Sequence, residues 1–275
     1  MARVGISGWR YAGWRGKFYP PGLPQRRELE HVAERLDTVE VNGSFYSLQR
    51  PSSWRSWGDQ VPADFVFAVK GPRFITHMKK LVDVETPLGT FLASGVLSLG
   101  DRLGPLLWQL PPQLGFDPAR LSAFFDLLPR STGQASSYAA AHHDADKLKE
   151  PADTSTPVDR PLRHVVEARH TSFRTPEFCE LLRAHDIGMV VADSAGTWPM
   201  FDEVTSDVAY VRLHGDQELY TSGYSEQALD HWAHKVREWE SQGLDVYVYF
   251  DNDAKVHAPF DAIALQERLG ISPRR

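Results

Sequence analysis

Side chains able to transfer protons or hold an anion stand at the ends of short apolar runs in this chain. The set comprises carboxylates, cations, amides, a phenol and one histidine: Glu40, Asn42, Lys70, Gln109, Glu167, Arg169, Asp193, Arg212, His214, Tyr249 and Asp251. His214 is the best candidate for proton transfer, because the ordinary histidine pKa lies near neutrality. Glu40 or Glu167 would act as a base if burial raised its pKa. Lys70 would form a Schiff base if its neighbours lowered its pKa, or be held in a salt bridge.

Eight apolar, β-branched runs precede these groups and predict strands: Val4–Ser7, Thr38–Asn42, Phe65–Lys70, Leu106–Gln109, Val165–Arg169, Gly188–Asp193, Val208–His214 and Val246–Asp251. Helical or loop segments separate the runs, which is typical of repeated β-then-α units. Eight such units favour a closed (β/α)8 TIM-type barrel of the α/β class. An open doubly wound sheet is the alternative, but the turn after the first run, Gly5 to Trp9, lacks the third glycine of a nucleotide-binding fingerprint.

Seven helices are predicted between the strands: Arg26–Leu36, Ser52–Gln60, Pro87–Gly100, Pro118–Leu128, Pro176–His185, Ser225–Gln242 and Pro259–Leu269. The stretch 130–161 is rich in Ser, Thr, Pro, Ala and Asp and separates the fourth and fifth strands. It predicts an insertion with a helix over Gln134–His143 and a polar loop after it. Because the composition is alike on both sides, residues 1–275 are interpreted as a single domain.

Alternation along the strands predicts which of the polar side chains share a face, since residues two apart point the same way. The predicted pairs are Glu40 with Asn42, Glu167 with Arg169, Arg212 with His214, and Tyr249 with Asp251. Catalytic groups of such barrels lie at the carboxyl ends of strands, so these residues are expected to meet at one mouth. Any single Glu–Arg pair could be a structural salt bridge. So many charges at one end favour a bound ligand.

The same mouth could be built for a metal or for an anion. Carboxylates and His214 match the oxygen and imidazole ligands of divalent metals. Lys70, Arg169 and Arg212 would repel such an ion and fit an anionic or polyhydroxyl small molecule, because guanidinium groups match carboxylate and phosphate. No metal or other cofactor is therefore predicted, with a divalent metal as the alternative.

Aromatic residues follow the first two strands, among them Trp9, Tyr11, Trp14, Phe45 and Tyr46. Such rings stack on sugars or bases, or simply pack the loops. Trp9 and Tyr46 are taken as candidate substrate-binding residues.

Composition excludes several function classes. The net charge is −6 and the pI is about 6.0, so no overall electrostatic footprint for nucleic acid or an anionic membrane is present. No run approaches the length of a membrane span, and the first residues, which lead directly into a predicted strand, are not expected to form a signal segment. The single cysteine, Cys179, fits a reducing compartment. A cytoplasmic location is expected, and the oligomeric state is left open.

Seven stretches together resemble the DUF72 (YecE-like) family, which is related to sugar isomerases by analogy and has no assigned activity. They are GISGWRYAGWRGKFYP, VEVNGSFY, FVFAVKGPRFITH, LLWQLPP, VVEARHTSF, YVRLHG and VYVYFDN. The resemblance covers nearly the whole chain and implies a TIM-type barrel. It adds Thr76 and His77 to the candidate site, and Asn252, next to Asp251, is a further candidate substrate-binding residue. Two positions depart from the family pattern: Gly43 stands where a small polar residue is common, and Asp251 where Asn is usual.

Three hypotheses of function follow. The first is an enzyme that acts on a small sugar-like or anionic metabolite by acid–base chemistry, as an isomerase does. The second is a metal-dependent barrel of the abasic-endonuclease type, which the acidic net charge disfavours. The third is a non-catalytic metabolite-binding module, because fold alone does not decide among chemistries.

Overall fold

Eight parallel strands close into one barrel, in which each strand pairs with its successor and the last pairs with the first. The computed structural model describes residues 1–272. The strands are β1 Ala2–Ser7, β2 Thr38–Val41, β3 Val66–Lys70, β4 Leu103–Gln109, β5 His164–Glu167, β6 Gly188–Asp193, β7 Val208–Leu213 and β8 Asp245–Phe250. Every predicted run corresponds to one of these strands, and the single-domain TIM barrel is confirmed.

Helices and helical turns connect the strands. The helices are α1 Glu28–Ala33, α2 Gly43–Tyr46, α3 Pro51–Asp59, α4 Glu85–Leu92, α5 Pro118–Leu127, α6 Thr132–His142, α7 Pro176–Ala184, α8 Glu226–Ser241 and α9 His257–Leu269. The single helix predicted over Pro87–Gly100 is wrong. Gly95 interrupts it at φ 92°, and a Cβ there would lie 2.7 Å from the Pro51 Cα.

The barrel is apolar on both faces of its strands, as parallel sheets under helices require. Inside it, one cluster of buried side chains fills the lower layers: Val66, Ala68, Leu107, Val165, Val190, Ala192, Val208, Tyr210, Tyr247 and Tyr249. A larger cluster lies between the strands and the surrounding helices. The polar mouth therefore sits on a closed hydrophobic floor.

The insertion after β4 folds back on the barrel wall. A bridge between Ser131 and Pro161 closes its base, and α6 packs beside α4. The Asp144 N–H donates to Thr90 Oγ1 at 2.9 Å, and the Asp153 N–H donates to the Ala93 carbonyl at 3.0 Å. The predicted helix is confirmed, and the polar loop that follows it is anchored by these bonds. In the described part of the chain, no helix is long and apolar enough to cross a bilayer.

Four strands end just below the mouth. β2, β5, β7 and β8 stop one or two residues before Asn42, Arg169, His214 and Asp251, respectively. These side chains therefore belong to the rim that follows the last strand pairings, where the main chain turns into the connecting loops.

Candidate functional site

A fully buried arginine lies at the centre of the mouth. The Arg212 guanidinium donates to both Glu40 oxygens at 3.0 and 2.8 Å and to Glu167 Oε2 at 2.7 Å. It also donates to Asp251 Oδ2 at 2.9 Å, and its Nη1 lies 3.4 Å from His214 Nε2. These acceptors use all five of its N–H groups. Arg212 was predicted to bind substrate, but in this arrangement it holds protein carboxylates instead.

Two residues that were not predicted complete the shell around Glu40. Ser7 Oγ donates to Glu40 Oε1 at 2.8 Å, and the Tyr210 hydroxyl donates to Glu40 Oε2 at 2.7 Å. Their signals were present in the sequence, since Ser7 ends β1 and Tyr210 shares a strand face with Arg212. We call the resulting group the Arg212 cluster: Ser7, Glu40, Glu167, Tyr210, Arg212, His214 and Asp251.

The Arg212 cluster places three carboxylates around one guanidinium in the barrel interior, and Arg169 adds a second positive charge at Glu167. Burial raises the pKa of Asp251, but Arg212 and His214 outweigh it and bring that pKa down to about 2. Burial likewise acts to raise the pKa of Glu167, and the charges of Arg169 and Arg212 lower it overall. The condition under which Glu167 would serve as a base, a raised pKa, is therefore not met. It stays ionised as a structural counterion.

His214, the predicted proton-transfer residue, is buried among protein partners. Its Nε2 faces Arg212, and its Nδ1 lies 3.0 Å from Asp251 Oδ2. Burial and the Arg212 charge lower its pKa, so the ring is neutral at neutral pH. The rings of Trp198 and Tyr220 stand edge-on at 5.9 and 5.4 Å. This enclosure suits a residue that orients Asp251 better than one that meets a ligand.

Lys70 is buried at the end of β3 and forms no ion pair with any residue of the range 1–272. Across these residues, no carboxylate oxygen lies within 4.0 Å of its Nζ atom, which instead stands 4.3 Å from the Phe45 ring centroid. Burial, followed by the Arg212 charge, lowers its pKa from 10.5 to about 8. The salt bridge considered from the sequence is thus not formed with a described residue, and the lowered pKa expected of a reactive lysine is present.

His77 and Gln109 stand beside Lys70. His77 Nδ1 is 2.8 Å from Thr76 Oγ1, and its Nε2 is 3.4 Å from Gln109 Nε2. Burial lowers the pKa of His77 to about 4, with further lowering by the charges of Lys70 and Arg169. The ring is thus a neutral imidazole between two cations. A π-helical turn, Phe74–Met78, presents it.

Arg169 joins the Arg212 cluster to this side of the mouth. Its Nε donates to Glu167 Oε1 at 2.5 Å, and its guanidinium carbon lies 3.6 Å from the Trp198 ring centroid. No acceptor among the described residues bonds its Nη atoms, and 9% of the side chain remains exposed. We call Lys70, His77, Gln109 and Arg169 the Lys70 group.

Several predicted site residues lie away from this centre. Asp193 points out of the barrel and accepts a hydrogen bond from the Tyr224 hydroxyl at 3.1 Å, because Val190 and Ala192 occupy the inner face of β6. Asn252 is buried beside α9, where it donates to Asp261 at 2.8 Å.

The aromatic candidates are also distributed outside the mouth. Tyr249 shares a face with Asp251 as predicted, but it lies one layer deeper, 2.7 Å from Thr38 Oγ1. Trp9 packs edge-on against Trp57 outside the barrel. Tyr46 is 70% exposed.

Asn42 stands on the rim after β2. Its Oδ1 atom is buried and has no hydrogen-bond partner within residues 1–272. A buried amide oxygen without a partner is costly unless a ligand or water satisfies it.

A cavity of about 730 Å³ adjoins the mouth at Phe45. Phe45 contacts Lys70 on one side and stands 5.1 Å from the His77 ring. The cavity walls are largely apolar and include Tyr46, Phe74 and Met78, all of which are partly solvent-exposed. Its volume is in the range of small-molecule sites.

The mouth as a whole balances three carboxylates against three cations. Glu40, Glu167 and Asp251 face Arg212 and Arg169 in direct ion pairs, while Lys70 stays unpaired among the described residues. In residues 1–272, no group of three or more His, Cys, Asp or Glu side chains is arranged to hold a metal ion. The carboxylates are oriented toward guanidinium groups.

The fold and this mouth define a TIM-barrel protein with a charged site at the carboxyl ends of its strands. The profile of the family described as "Protein of unknown function DUF72" matches residues 3–275, and the chain belongs to that family. The family resemblance noted in the sequence is thereby confirmed.

Relatives of the chain carry no assigned activity in their names. The UPF0759 protein YunF of Bacillus subtilis (strain 168) is 23% identical over an alignment that covers 100% of this chain and 99% of that protein. The UPF0759 protein YecE of Escherichia coli (strain K12) is 30% identical over 47% of this chain and 45% of that protein.

Two solved structures are similar over almost their whole length. A DUF72 family protein from Thermotoga maritima MSB8 has a TM-score of 0.77 at 26% identity, covering 98% of this chain and 99% of that one. A DUF72 family protein from Enterococcus faecalis V583 has a TM-score of 0.75 at 18% identity, covering 99% and 96%, and supports the fold alone.

Proposed function

We propose that the protein is an enzyme that binds a small anionic or sugar-like metabolite at the barrel mouth and moves a proton next to its carbonyl group, as an isomerase does. The observation that carries this proposal is the unused bonding capacity of the Lys70 group. Lys70 has no counterion within 4.0 Å in residues 1–272, and Arg169 directs Nη donors to no protein acceptor there. Charged donors to which no described residue offers an acceptor are suited to an anionic or oxygen-rich ligand.

Each member of the Lys70 group has a distinct part in this proposal. Arg169, whose guanidinium carbon lies 3.6 Å from the Trp198 ring centroid, binds the anionic group of the ligand through the Nη groups that have no acceptor in residues 1–272. Lys70 exchanges the proton, because a pKa of about 8 is close to the working pH of a general acid–base. His77, neutral at that pH, relays the proton, and Gln109 orients its ring.

Proton exchange with deuterated water tests the proposal whatever product the enzyme forms. The protein is incubated in D₂O with aldoses, ketoses, their phosphates and 2-oxo acids, and NMR follows the loss of carbon-bound protons next to the carbonyl. We expect exchange with at least one class, reduced by about 100-fold in Lys70→Met and by about 10-fold in Arg169→Lys. Lys17→Met, at an exposed lysine, serves as the matched control and keeps full exchange.

Two outcomes would overturn the proposal. Binding of these compounds without any exchange would identify a non-catalytic binding module. Exchange that survives in folded Lys70→Met would move the proton transfer to another residue.

A further inference from the structure

We propose that Lys70 is a nucleophile that forms an imine with a small carbonyl compound bearing an anionic group. This inference rests on the proposed function and deepens it, because it names the substrate class and gives Lys70 a covalent role, in which the neutral His77 ring takes the proton that the free amine would otherwise take. An imine makes the neighbouring carbon acidic, which is the chemistry that proton transfer next to a carbonyl requires.

The first argument is the isolation of the Lys70 amine. Arg169 and Arg212 are both paired with carboxylates at 2.5 to 3.0 Å, whereas within residues 1–272 the Lys70 amine forms no ion pair and stands 4.3 Å from the Phe45 ring centroid. The lysine keeps 7% of its surface exposed, and its neighbour Phe45 stands 5.1 Å from the His77 ring. An amine that donates to no carboxylate has its lone pair available once it is neutral.

The second argument is the rigid support of the residue. Ser44 Oγ donates to the Lys70 carbonyl at 2.7 Å, and the Gly71 N–H donates to the Leu107 carbonyl at 2.8 Å. A Cβ at position 71 would lie 2.3 Å from the Trp108 ring, so only glycine lets the chain pass there. The main chain on both sides of Lys70 is thereby held, which fixes the point from which its side chain extends into the mouth.

The third argument is electrostatic. Burial and Arg212 on β7 favour the neutral amine, while Glu40 on β2, Glu167 on β5 and Asp251 after β8 favour the ammonium. The resulting pKa of about 8 leaves about 300-fold more neutral amine at pH 7 than an ordinary lysine has. His77, on the turn after β3, is neutral and adds no opposing charge.

The covalent step is a condensation without a redox change. The neutral Lys70 nitrogen attacks the carbonyl carbon, a C–N bond forms, and the carbonyl electron pair moves to oxygen. The nitrogen loses two protons and the oxygen gains two. The C–O bond then breaks, and water departs. The imine nitrogen then gains a proton from solvent. Arg169 holds the anionic group of the same molecule throughout.

Reductive trapping tests the inference with glyoxylate, which carries a carbonyl and a carboxylate. Sodium cyanoborohydride, a hydride donor, converts an imine into a stable amine, and peptide mapping by mass spectrometry locates it. We expect one adduct, at Lys70, formed at least about 10-fold faster than at any exposed lysine. Its rate should reach half its maximum near pH 8, the pKa of Lys70. Because the lysines of one wild-type sample are compared with each other, this result does not depend on a variant that folds.

Variants separate the nucleophile from the anion contact. Lys70→Arg, which keeps the charge, should abolish the adduct, and Lys17→Met should leave it unchanged. Arg169→Gln, which adds no new amine, should slow trapping with glyoxylate by about 10-fold more than trapping with acetaldehyde, which has no anionic group. Labelling spread evenly over exposed lysines, or persistence of the adduct rate in Lys70→Arg, would overturn the inference.

Failure here and failure of the proposed function can be told apart. Deuterium exchange without a Lys70 adduct would overturn the imine and leave proton transfer in place. A Lys70 adduct without exchange would support the imine and overturn the proton transfer.

Discussion

The Arg212 cluster and the Lys70 group occupy the same barrel mouth but treat their charges in opposite ways. Arg212 directs five N–H groups to protein acceptors, and Glu40 alone accepts from Ser7, Tyr210 and Arg212. Lys70 is almost as deeply buried, yet it has no ion pair in the described part of the chain. The Arg212 side chain has protein partners for all of its N–H groups, whereas the Lys70 amine has no counterion among the described residues.

This difference shows that burial and charge alone do not mark a reactive residue. A buried charge whose partners are all protein groups is held by them, and removal of one partner leaves the others uncompensated. A buried charge without partners changes its pKa instead. The residues that looked most catalytic in the sequence, His214 and Glu167, fall in the first category. Lys70 falls in the second.

The largest expected effect comes from removing the centre of the Arg212 cluster. Arg212→Met leaves three carboxylates without their shared cation, and we expect a loss of about 3–5 kcal/mol in the free energy of unfolding. Urea titration at pH 7 measures it. Arg212→Lys keeps the charge but not the guanidinium geometry, so its free energy of unfolding should lie between those of the wild type and Arg212→Met. A loss below about 1 kcal/mol would show that the cluster is not a structural unit.

Unlike Arg212, the buried Lys70 ammonium should lower the free energy of unfolding at neutral pH. Its pKa is lowered in the folded state, so between pH 8 and pH 10.5 the unfolded chain binds the extra proton and stability rises with pH. Relative to Lys70→Met, the wild-type free energy of unfolding should increase by about 3 kcal/mol across this window. Other titrating groups are common to both proteins and cancel. A flat difference would mean that Lys70 is paired after all.

A smaller effect is expected for Asp251, whose pKa is lowered to about 2 by Arg212 and His214 against burial. The ionised Asp251 carboxylate contributes fully to the free energy of unfolding above pH 3.8, and this contribution is lost as the pH falls toward 2. Asp251→Asn should therefore reduce the free energy of unfolding by about 2 kcal/mol at neutral pH, and by less near pH 3. Urea titrations at the two pH values test this, and a pH-independent loss would point to packing rather than charge.

The smallest effect concerns the link between the two regions. Trp198→Leu removes the ring that lies 3.6 Å from the Arg169 guanidinium carbon, and we expect a loss of about 1 kcal/mol in stability. Arg169→Lys should lower it by a similar amount. A double-mutant cycle measures the coupling, and strictly additive losses would contradict a direct contact.

Much of the site was predictable because strand alternation is a local rule. It correctly grouped Glu40, Glu167, Arg212 and Asp251 at one mouth, where direct bonds now join them. The same rule could have excluded Asp193, since Val190 and Ala192 take the inner face of β6. Depth along the barrel was not predictable, because alternation gives the face of a strand and not its layer. For this reason the position of Tyr249 below the mouth, beside Thr38, was not foreseen.

The sequence by itself determined the barrel, its eight strands and the meeting of opposite charges at their carboxyl ends. It could do so because strand alternation and the βα repeat depend only on residues that are close together in the chain. Only the tertiary structure decided which charge stays unpaired. That choice depends on distances of a few ångströms between residues far apart in the chain, such as Arg212 and Glu40. Those distances satisfy Arg212 and isolate Lys70, and the chemistry we propose follows from that isolation.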